Sequence, residues 1–270
     1  MLLRTSATVG LSAAALSLMA FAAQATPLPV QNLVFTQFSS PSTPPKSLFT
    51  DANPVGWTGG TGLIAIDAPG TGTDFVNGAY GVWGAGPGGS GLFPNPPPGG
   101  NFIQADGNPT FETSFNQVIT GLTAGTTYSL SFWQAAGQQN GFSGATTEQW
   151  KVFFGSTGGF TVDCSSNPCT TSVSGDTTET DTALMNTPSQ GVHPWELVSM
   201  NLLATAATET LSFLAWGDNG NTTNLPPTVF LAGVNSPAVP EPATLSLLGV
   251  GILGLGAAGL RRRVKRTDKV

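Results

Sequence analysis

Residues Phe111–Gln134 read Phe-Glu-Thr-Ser-Phe-Asn-Gln-Val-Ile-Thr-Gly-Leu-Thr-Ala-Gly-Thr-Thr-Tyr-Ser-Leu-Ser-Phe-Trp-Gln and hold two strand-like segments around a glycine turn. In the second segment large apolar residues alternate with serine or tryptophan: Tyr128, Leu130 and Phe132 against Ser129, Ser131 and Trp133. Because successive side chains of a strand lie on opposite faces, we expect the first set to be buried. The stretch therefore predicts a pair of strands, Phe111–Ile119 and Tyr128–Gln134, joined by the turn 121–126.

The rest of the region 26–238 repeats this pattern in short runs between glycine, proline, serine and threonine, and no stretch sustains a helical period. Further strands are expected at 149–154, 195–203, 209–216 and 228–234. The region is therefore predicted to be all-β, with its strands packed as a β-sandwich.

Two segments of this region are predicted to be long loops. Gly84–Gly100 has 12 glycines and prolines among 17 residues, with Trp83 and Phe93 at its margins. It is either a plain exposed connection or a lid over a ligand. Thr170–Thr187 is rich in threonine and acidic residues, and it is either glycosylated or simply solvated.

The N-terminal end of the chain predicts a targeting signal. Arg4 precedes the apolar stretch Val9–Ala23, and Ala23-Gln24-Ala25 offers small residues at both positions that signal peptidase reads. We expect a secretory signal peptide at 1–25, recognised by the Sec translocon, rather than a permanent anchor. The mature chain would then start at Thr26.

The C-terminal end predicts a membrane helix followed by a stop signal. Ala243–Leu260 carries no charge and would form roughly 27 Å of helix, close to the hydrocarbon thickness of a bilayer. It is followed by a basic cluster of Arg261, Arg262, Arg263, Lys265 and Arg266. Because such a cluster stays on the cytoplasmic side, the segment 243–260 is expected to span the membrane and 261–270 to form a basic tail, the alternative being a buried core helix.

Val239-Pro240-Glu241-Pro242, the apolar span and the basic cluster follow one another in an order that resembles the PEP-CTERM sorting signal. The resemblance covers 239–270. It implies cleavage by an exosortase, a membrane-embedded cysteine protease, in a Gram-negative bacterium that makes exopolysaccharide. We therefore expect the exported domain 26–238 to pass through an intermediate anchored in the inner membrane and to reach the cell surface or extracellular matrix without its tail.

The composition of the exported region excludes several classes of site. Between Thr26 and Ala238 lie 13 acidic and two basic residues, a net charge of −11, so a basic face for nucleic acid is absent. Cys164 and Cys169 flank a four-residue turn sequence, and in an oxidising compartment they are expected to form a local disulfide. His193 is the only histidine, so neither a histidine-ligated zinc site nor a histidine-based triad is expected, and His193 itself is interpreted as a loop residue.

The segment 111–134, with its Gly-Leu-Thr-Ala-Gly-Thr-Thr-Tyr turn, and a closing pair of strands at 210–216 and 228–234 resemble the galactose-binding-like jelly roll of many carbohydrate-binding modules. The resemblance covers about 32–236 and implies a jelly-roll sandwich. Sugar-binding relatives often carry a final-strand acid that helps to hold a structural calcium ion, whereas Ala232 stands in the equivalent stretch here. Asp218-Asn219-Gly220-Asn221 is too short for a full calcium loop. No cofactor is expected, and calcium is the one ion that the resemblance allows.

Two tryptophans suggest where a sugar would bind. Trp133 and Trp216 both alternate away from the apolar faces of their strands. If these strands are neighbours, the two indoles share one face with the polar residues Gln134, Gln138, Asp218 and Asn219. That face would form a sugar-binding platform. The alternative is that both tryptophans are packed in the core or covered by loops, as large aromatic side chains usually are.

Three classes of function remain open. The first is a non-enzymatic exported protein of the cell envelope or of an exopolysaccharide biofilm matrix, with a carbohydrate-binding surface. The second is a structural or adhesive matrix protein without a small-ligand site. The third, an extracellular glycoside hydrolase, needs two carboxylates facing each other across a cleft. The available carboxylates lie in no recognisable motif: Glu112, Glu148, Glu196 and Glu209. We therefore predict no catalytic residues and no enzyme.

Overall fold

The computed structural model describes residues 25–39, 47–48, 54–59, 62–70, 81–223 and 225–235. The predicted signal peptide, apart from Ala25, and the whole predicted sorting segment 239–270 lie outside these residues. The strands are β1 Thr26–Pro27, β2 Ser47–Leu48, β3 Thr58–Gly59, β4 Ile64–Asp67, β5 Phe102–Asp106, β6 Ser114–Thr120, β7 Thr127–Gln138, β8 Thr146–Gly155, β9 Gly158–Asp163, β10 Thr170–Gly175, β11 Thr178–Asp181, β12 Met185–Thr187, β13 Val192–Leu203, β14 Thr208–Gly217 and β15 Pro227–Ala232.

Helical structure within the described ranges is confined to three short 3-10 turns, at Pro87–Gly89, Pro109–Phe111 and Asp218–Gly220. Within those ranges, no helix has the length and apolar character that a membrane span requires. The described part of the chain is all-β, as predicted.

Two sheets form the body of the protein. The first has the order β13-β7-β15-β5-β4-β2, with β1 running parallel to the start of β7. In the second, β11 and β12 both pair with β8, which is followed by β14, β6 and β3. The two layers β5-β15-β7-β13 and β6-β14-β8-β11/β12 reproduce the strand order of a jelly roll, because the chain crosses between sheets at nearly every connection. The predicted jelly-roll β-sandwich is therefore confirmed.

The core lies between the two inner faces. Tyr128, Leu130 and Phe132 of β7 are buried, as their alternation predicted, and they belong to the same cluster as Phe213 of β14. The Phe132 and Phe213 rings meet edge to face at 5.2 Å between centroids. Complete burial of each such side chain contributes about 1.5–3 kcal/mol, which makes this layer the main source of stability.

The predicted pairing of Phe111–Ile119 with Tyr128–Gln134 is wrong. β6 pairs with β14 and β3, whereas β7 pairs with β13, β15 and β1, so the turn 121–126 is an arch between the sheets. Its backbone bonds run to the β13–β14 connection: Leu122 N–H donates to Ala207 O at 3.1 Å, and Gly125 N–H donates to Ala204 O at 2.7 Å. The expected closing pair at 210–216 and 228–234 is divided between the sheets in the same way. Alternation identifies a buried face, but it does not identify the neighbouring strand.

The prediction of a loop over Thr170–Thr187 is also wrong. This segment holds β10, β11 and β12, and β10 pairs with β9 in a separate two-stranded hairpin. The predicted disulfide between Cys164 and Cys169 is present and closes the tip of this hairpin. The hairpin covers part of the outer face of the second sheet, where Phe160 stacks on Phe153 at 4.2 Å between ring centroids.

The outer face of the first sheet carries its own small apolar cluster. Phe93, from the glycine- and proline-rich loop, stacks on Phe230 of β15 at 3.9 Å between ring centroids. Trp83 and Trp195 fix the loop further, because Trp83 Nε1 donates to Phe142 O at 3.0 Å and Trp195 Nε1 donates to Pro94 O at 2.7 Å. The loop is therefore a packed cover over part of this face.

The two ends of the described domain meet in the middle of β7. Asn235 N–H donates to Ser131 O at 2.6 Å, and Ser131 N–H donates to the Asn235 side-chain oxygen at 2.8 Å. The Asn235 amide nitrogen also donates to Leu28 O at 2.5 Å. Residues just after the expected signal-peptide cleavage site and residues just before the expected sorting motif thus hold each other in place.

Candidate functional site

The expected shared platform of Trp133 and Trp216 does not form. Trp133 lies on the outer face of the first sheet and Trp216 on the outer face of the second, so the sandwich separates them. The prediction required β7 and β14 to be neighbours in one sheet. Both side chains do alternate away from the inner core, but a sandwich has two outer faces, and each tryptophan lies on a different one.

The polar residues expected beside the tryptophans are also placed elsewhere. Gln134 is fully buried on the inner side of β7, where its Nε2 donates to Glu196 Oε1 at 2.7 Å and to Ala183 O at 3.3 Å. Asp218 is half-buried and accepts the Thr147 backbone N–H at 3.1 Å. Neither side chain adjoins Trp133, so both hold the fold together.

Trp216 is covered rather than available to a ligand. Only 4% of its surface is exposed, and it packs with Phe153 and Cys169 beneath the hairpin. Lys151 Nζ lies 5.2 Å from the centre of its ring. A cation over an indole face is attracted by the ring quadrupole, which stabilises this arrangement. For Trp216 the alternative interpretation, a loop-covered tryptophan, is the one observed.

Lys151 is held by two carboxylates on the same face of the second sheet. Its Nζ lies 2.6 Å from Glu179 Oε1 and 2.9 Å from Asp181 Oδ2. Partial burial lowers the pKa of Lys151, but the hydrogen bonds and charges of the two carboxylates raise it more, and the net shift is upward. The amine therefore stays charged at neutral pH, which fits a structural ion pair.

Trp133 is the tryptophan with the features of a binding residue. It is partly exposed, and its register partner on β13 is Leu197, whose exposed fraction is 46%. One step along the same outer face, Ser131 and Ser199 face each other across the two strands. Register partners of antiparallel strands share a face, so these four side chains form one patch, here called the Trp133 face.

The indole N–H of Trp133 has no acceptor within the described residues. Four other tryptophans donate theirs to a backbone carbonyl: Trp57, Trp83, Trp150 and Trp195. A partly buried tryptophan normally satisfies its N–H, and one that does not is suited to an interface at which a ligand supplies the acceptor. Sequence reasoning missed Leu197 and Ser199, because their place beside Trp133 depends on the β7–β13 register.

The carboxylates considered for catalysis have structural surroundings. Glu148 is fully enclosed between the sheets and accepts the Thr187 hydroxyl at 2.6 Å. Burial raises the pKa of Glu148 to about 8, hydrogen bonds from Thr146 and Thr187 oppose that shift, and the nearby charge of Asp218 adds to it. A carboxyl group without access to solvent cannot reach a polysaccharide.

Glu209 and Glu196 also make hydrogen bonds within the protein. Glu209 is buried and accepts the Ala206 N–H at 2.9 Å, which fixes the turn between β13 and β14. Glu196 binds Gln134, as described above, and lies 3.6 Å from His193 Nε2. His193 lies in β13, next to a bulge, so its interpretation as a loop residue is wrong.

The described ranges contain no cluster of His, Cys, Asp and Glu side chains that could bind a metal ion. None of their His, Cys, Asp and Glu side chains gathers in a group of three or more that could hold an ion. Ala232, the residue that stands where the resemblance implies a calcium-binding acid, is fully buried beside Phe230.

Residues 238–263 match the PEP-CTERM protein-sorting motif. The predicted tetrapeptide Val239–Pro242 lies inside this range, so recognition of the sorting signal is confirmed. The match indicates an exported protein that is anchored transiently in the membrane and processed by an exosortase. It covers the C-terminal segment and does not extend into the sandwich. No curated protein matches the chain.

Solved structures that resemble the chain include the following three. One is the enzymatically active domain of tailspike protein 4 from bacteriophage CBA120, with 11% identity and a TM-score of 0.32, over 67% of this chain and 19% of the other. The second is TmCBM61 in complex with β-1,4-galactotriose, with 11% identity and a TM-score of 0.32, over 69% and 91%. The third is the CBM22-2 xylan-binding domain from Paenibacillus barcinonensis Xyn10C, with 14% identity and a TM-score of 0.29, over 70% and 94%.

The chain thus spans about a fifth of the tailspike structure and most of the two binding modules. The class that fold and sorting motif define is an exported jelly-roll protein with a PEP-CTERM signal. The fold assignment rests on strand order.

Proposed function

We propose that this protein is a non-enzymatic component of the cell surface or exopolysaccharide matrix that binds neutral carbohydrate chains through the Trp133 face. The observation that carries the proposal is the partly exposed Trp133 indole, whose N–H lacks an acceptor in the described residues, beside the exposed Leu197 and the hydroxyls of Ser131 and Ser199. An indole offers a flat apolar surface to the C–H face of a sugar ring. Its N–H and the serine hydroxyls can bond to the ring hydroxyls.

The charge of the exported region narrows the class of carbohydrate. A net charge of −11 between Thr26 and Ala238 would repel an acidic polymer. A neutral polysaccharide avoids this cost, so neutral chains are the proposed ligand.

The sorting motif supports the route that we propose for the protein. The Sec translocon exports the chain, the C-terminal apolar segment anchors it in the inner membrane of a Gram-negative cell, and an exosortase removes the tail. Release places the domain among the exopolysaccharides of the surface or of a biofilm.

The test is a pull-down of the 26–238 fragment with immobilised neutral and acidic polysaccharides. We expect retention on at least one neutral polymer and at least about tenfold weaker binding by Trp133→Ala, equivalent to a loss of about 1.4 kcal/mol. Trp133→Phe should show an intermediate loss, because it keeps a ring but loses the N–H. Leu203→Ala is the matched control, since Leu203 is 57% exposed at the far end of the neighbouring strand β13.

The competing assignment is a structural or adhesive matrix protein without a sugar site. The observation in its favour is the exposed pair Leu197 and Leu203 on β13, which lies at the edge of the first sheet. Apolar side chains on an edge strand suit contact with another protein. Equal retention of the wild type and of Trp133→Ala in the matrix, with no polysaccharide bound, would favour adhesion.

A further inference from the structure

A second candidate site lies on the opposite side of the sandwich, in a groove on the outer face of the second sheet. The groove has a volume of about 260 Å³. Its floor is formed by Phe153 and Gly155 of β8 and by Thr210 and Ser212 of β14, and Phe160 of β9 lies at its side. The hairpin β9–β10 is inserted between β8 and β11 and is not one of the jelly-roll strands, so this groove is an addition to the basic fold.

The lining specifies the chemistry of the ligand. All nine lining residues are uncharged: Phe153, Gly155, Ser156, Gly158, Gly159, Phe160, Thr177, Thr210 and Ser212. A groove without a charged lining residue offers no opposite side-chain charge to an ionic ligand, which favours a neutral one. Hydroxyls beside aromatic rings suit a neutral polyhydroxylated molecule, because the hydroxyls donate and accept hydrogen bonds while an aromatic ring contacts the C–H groups of the ligand.

Two of the hydroxyls are available for a ligand. Thr210 is exposed and Ser212 is half-buried, and neither side chain makes a protein hydrogen bond within the described part of the chain. The groove is slightly smaller than the ~300 Å³ at which pockets for drug-sized ligands begin. It therefore has room for a unit of a saccharide chain rather than for a long segment.

The rim of the groove is held in place by hydrogen bonds within the protein. The Asp176 carboxylate accepts hydrogen bonds from the backbone N–H of Ser156 at 3.0 Å and from that of Thr157 at 2.6 Å. It also accepts hydrogen bonds from the side-chain hydroxyls of Ser156, Thr157 and Thr205. These hydrogen bonds hold the pKa of Asp176 well below its usual range. At Gly155 an added Cβ would lie 2.5 Å from Thr177 Cα, so glycine permits the close approach of the two turns. Such preorganisation lowers the entropic cost of binding.

We infer that this groove is a second neutral-saccharide site, and that one molecule of the protein bridges two polysaccharide chains. The inference rests on the proposed function for the class of ligand. The groove and the Trp133 face lie on the outer faces of different sheets. Because packed sheets are ~10 Å apart before their outer side chains are added, one sugar unit cannot contact both sites. Two sites on opposite faces give cross-linking, and avidity on a polymer with many binding units.

The test uses the processed protein recovered from the host, with the neutral fraction of the host exopolysaccharide and oligosaccharides released from it by partial acid hydrolysis. Ser212→Trp fills the groove, Thr210→Val removes a hydroxyl at nearly constant shape, and Trp133→Ala removes the other site. Thr161→Ala is the matched control, because its hydroxyl pairs with Ser172 at 2.8 Å on the hairpin, outside the groove lining. Thermal unfolding confirms that each variant is folded.

The wild type should bind two oligosaccharides per molecule by calorimetry and should precipitate the polymer near equivalence. Ser212→Trp and Trp133→Ala should each bind one and precipitate none, Thr210→Val should weaken one site, and Thr161→Ala should behave as the wild type does. A single site in the wild type that only Trp133→Ala removes overturns the bridging inference and leaves the proposed function standing. A single site that only Ser212→Trp removes contradicts both the bridging and the Trp133 face. No binding by the wild type overturns both proposals.

Discussion

At the scale of single residues, Glu148 is the side chain whose chemistry the fold changes most. Burial raises the pKa of Glu148 to about 8. Burial also raises the pKa of Asp106, to about 6, although a backbone hydrogen bond from Asn108 lowers that pKa. Between the unfolded pKa, about 4, and the raised pKa of the folded state, each carboxyl is therefore protonated in the folded protein and ionised in the unfolded chain. Their favourable contribution is complete below about pH 4, the unfolded pKa range, and it is lost as the pH rises through 6 for Asp106 and through 8 for Glu148.

We predict that the melting temperature falls between pH 5 and pH 9. Glu148→Gln should flatten this dependence, because the amide is neutral at every pH, and it should be at least as stable as the wild type at pH 9, where the buried carboxylate costs on the order of a few kcal/mol. Differential scanning calorimetry at several pH values measures the effect. The exposed Glu112→Gln is the control and should keep the wild-type slope. An unchanged slope in Glu148→Gln would show that Glu148 ionises freely in the folded protein.

Trp133 and Trp216 show that two residues of the same type and alternation can have different environments in the fold. Both tryptophans alternate away from the apolar faces of their strands, yet Trp216 is buried under the hairpin with Lys151 over its ring. Trp133 remains partly exposed because the cover over its sheet, centred on Phe93, packs mainly on Phe230. A sequence pattern assigns a face, whereas the cover over that face comes from loops distant in the chain.

At the scale of elements, the strands could be predicted more readily than their partners. Burial of Leu130 and Phe132 follows directly from alternation, and the observed β8, β13, β14 and β15 contain or nearly coincide with the expected segments. The arch at 121–126 could not be predicted, because its bonds to Ala204 and Ala207 join positions about 80 residues apart in sequence. The candidate groove was hidden for the same reason, since the polar residues of β9 and β10 alternate without a buried face.

The hairpin β9–β10 should depend on its disulfide more than the sandwich does. Closing a loop as short as that between Cys164 and Cys169 is expected to contribute ~2 kcal/mol in the chain-entropy account. Replacing both cysteines with serine should loosen the cover over Trp216, because Cys169 packs in the same cluster. We predict a red shift of tryptophan emission and faster hydrogen exchange at 158–175, with the inner core unchanged. Equal loss of protection in β7 and β14 would show that the hairpin and sandwich unfold as one unit.

At the scale of the whole molecule, the sorting motif and the sandwich divide the work between transport and binding. The match at 238–263 begins three residues after Asn235, the residue that ties the end of the domain to Ser131 and Leu28. We therefore predict that mass spectrometry of the major surface form in the native host finds an N-terminus at Thr26 and no peptide from the basic tail. Recovery of a peptide that includes Arg266 from that form would contradict tail removal.

The net charge of the exported region also determines how the binding affinity should respond to salt. If the ligand is neutral, binding through the Trp133 face makes no ion pairs with it, so affinity should change less than about twofold over a range of salt that screens surface charges. A steep loss of affinity with salt would indicate an ionic ligand, and a steep gain would indicate an acidic polymer repelled by the charge of −11.

The most direct test of the central claim is calorimetric titration of the processed protein with the neutral polysaccharide of its own host matrix. Binding by the wild type, at least about tenfold weaker binding at the affected site in Trp133→Ala, and wild-type binding in Leu203→Ala are the results that we predict. Undiminished binding by folded Trp133→Ala, or no heat of binding from the wild type, would contradict the assignment of the Trp133 face as a carbohydrate site.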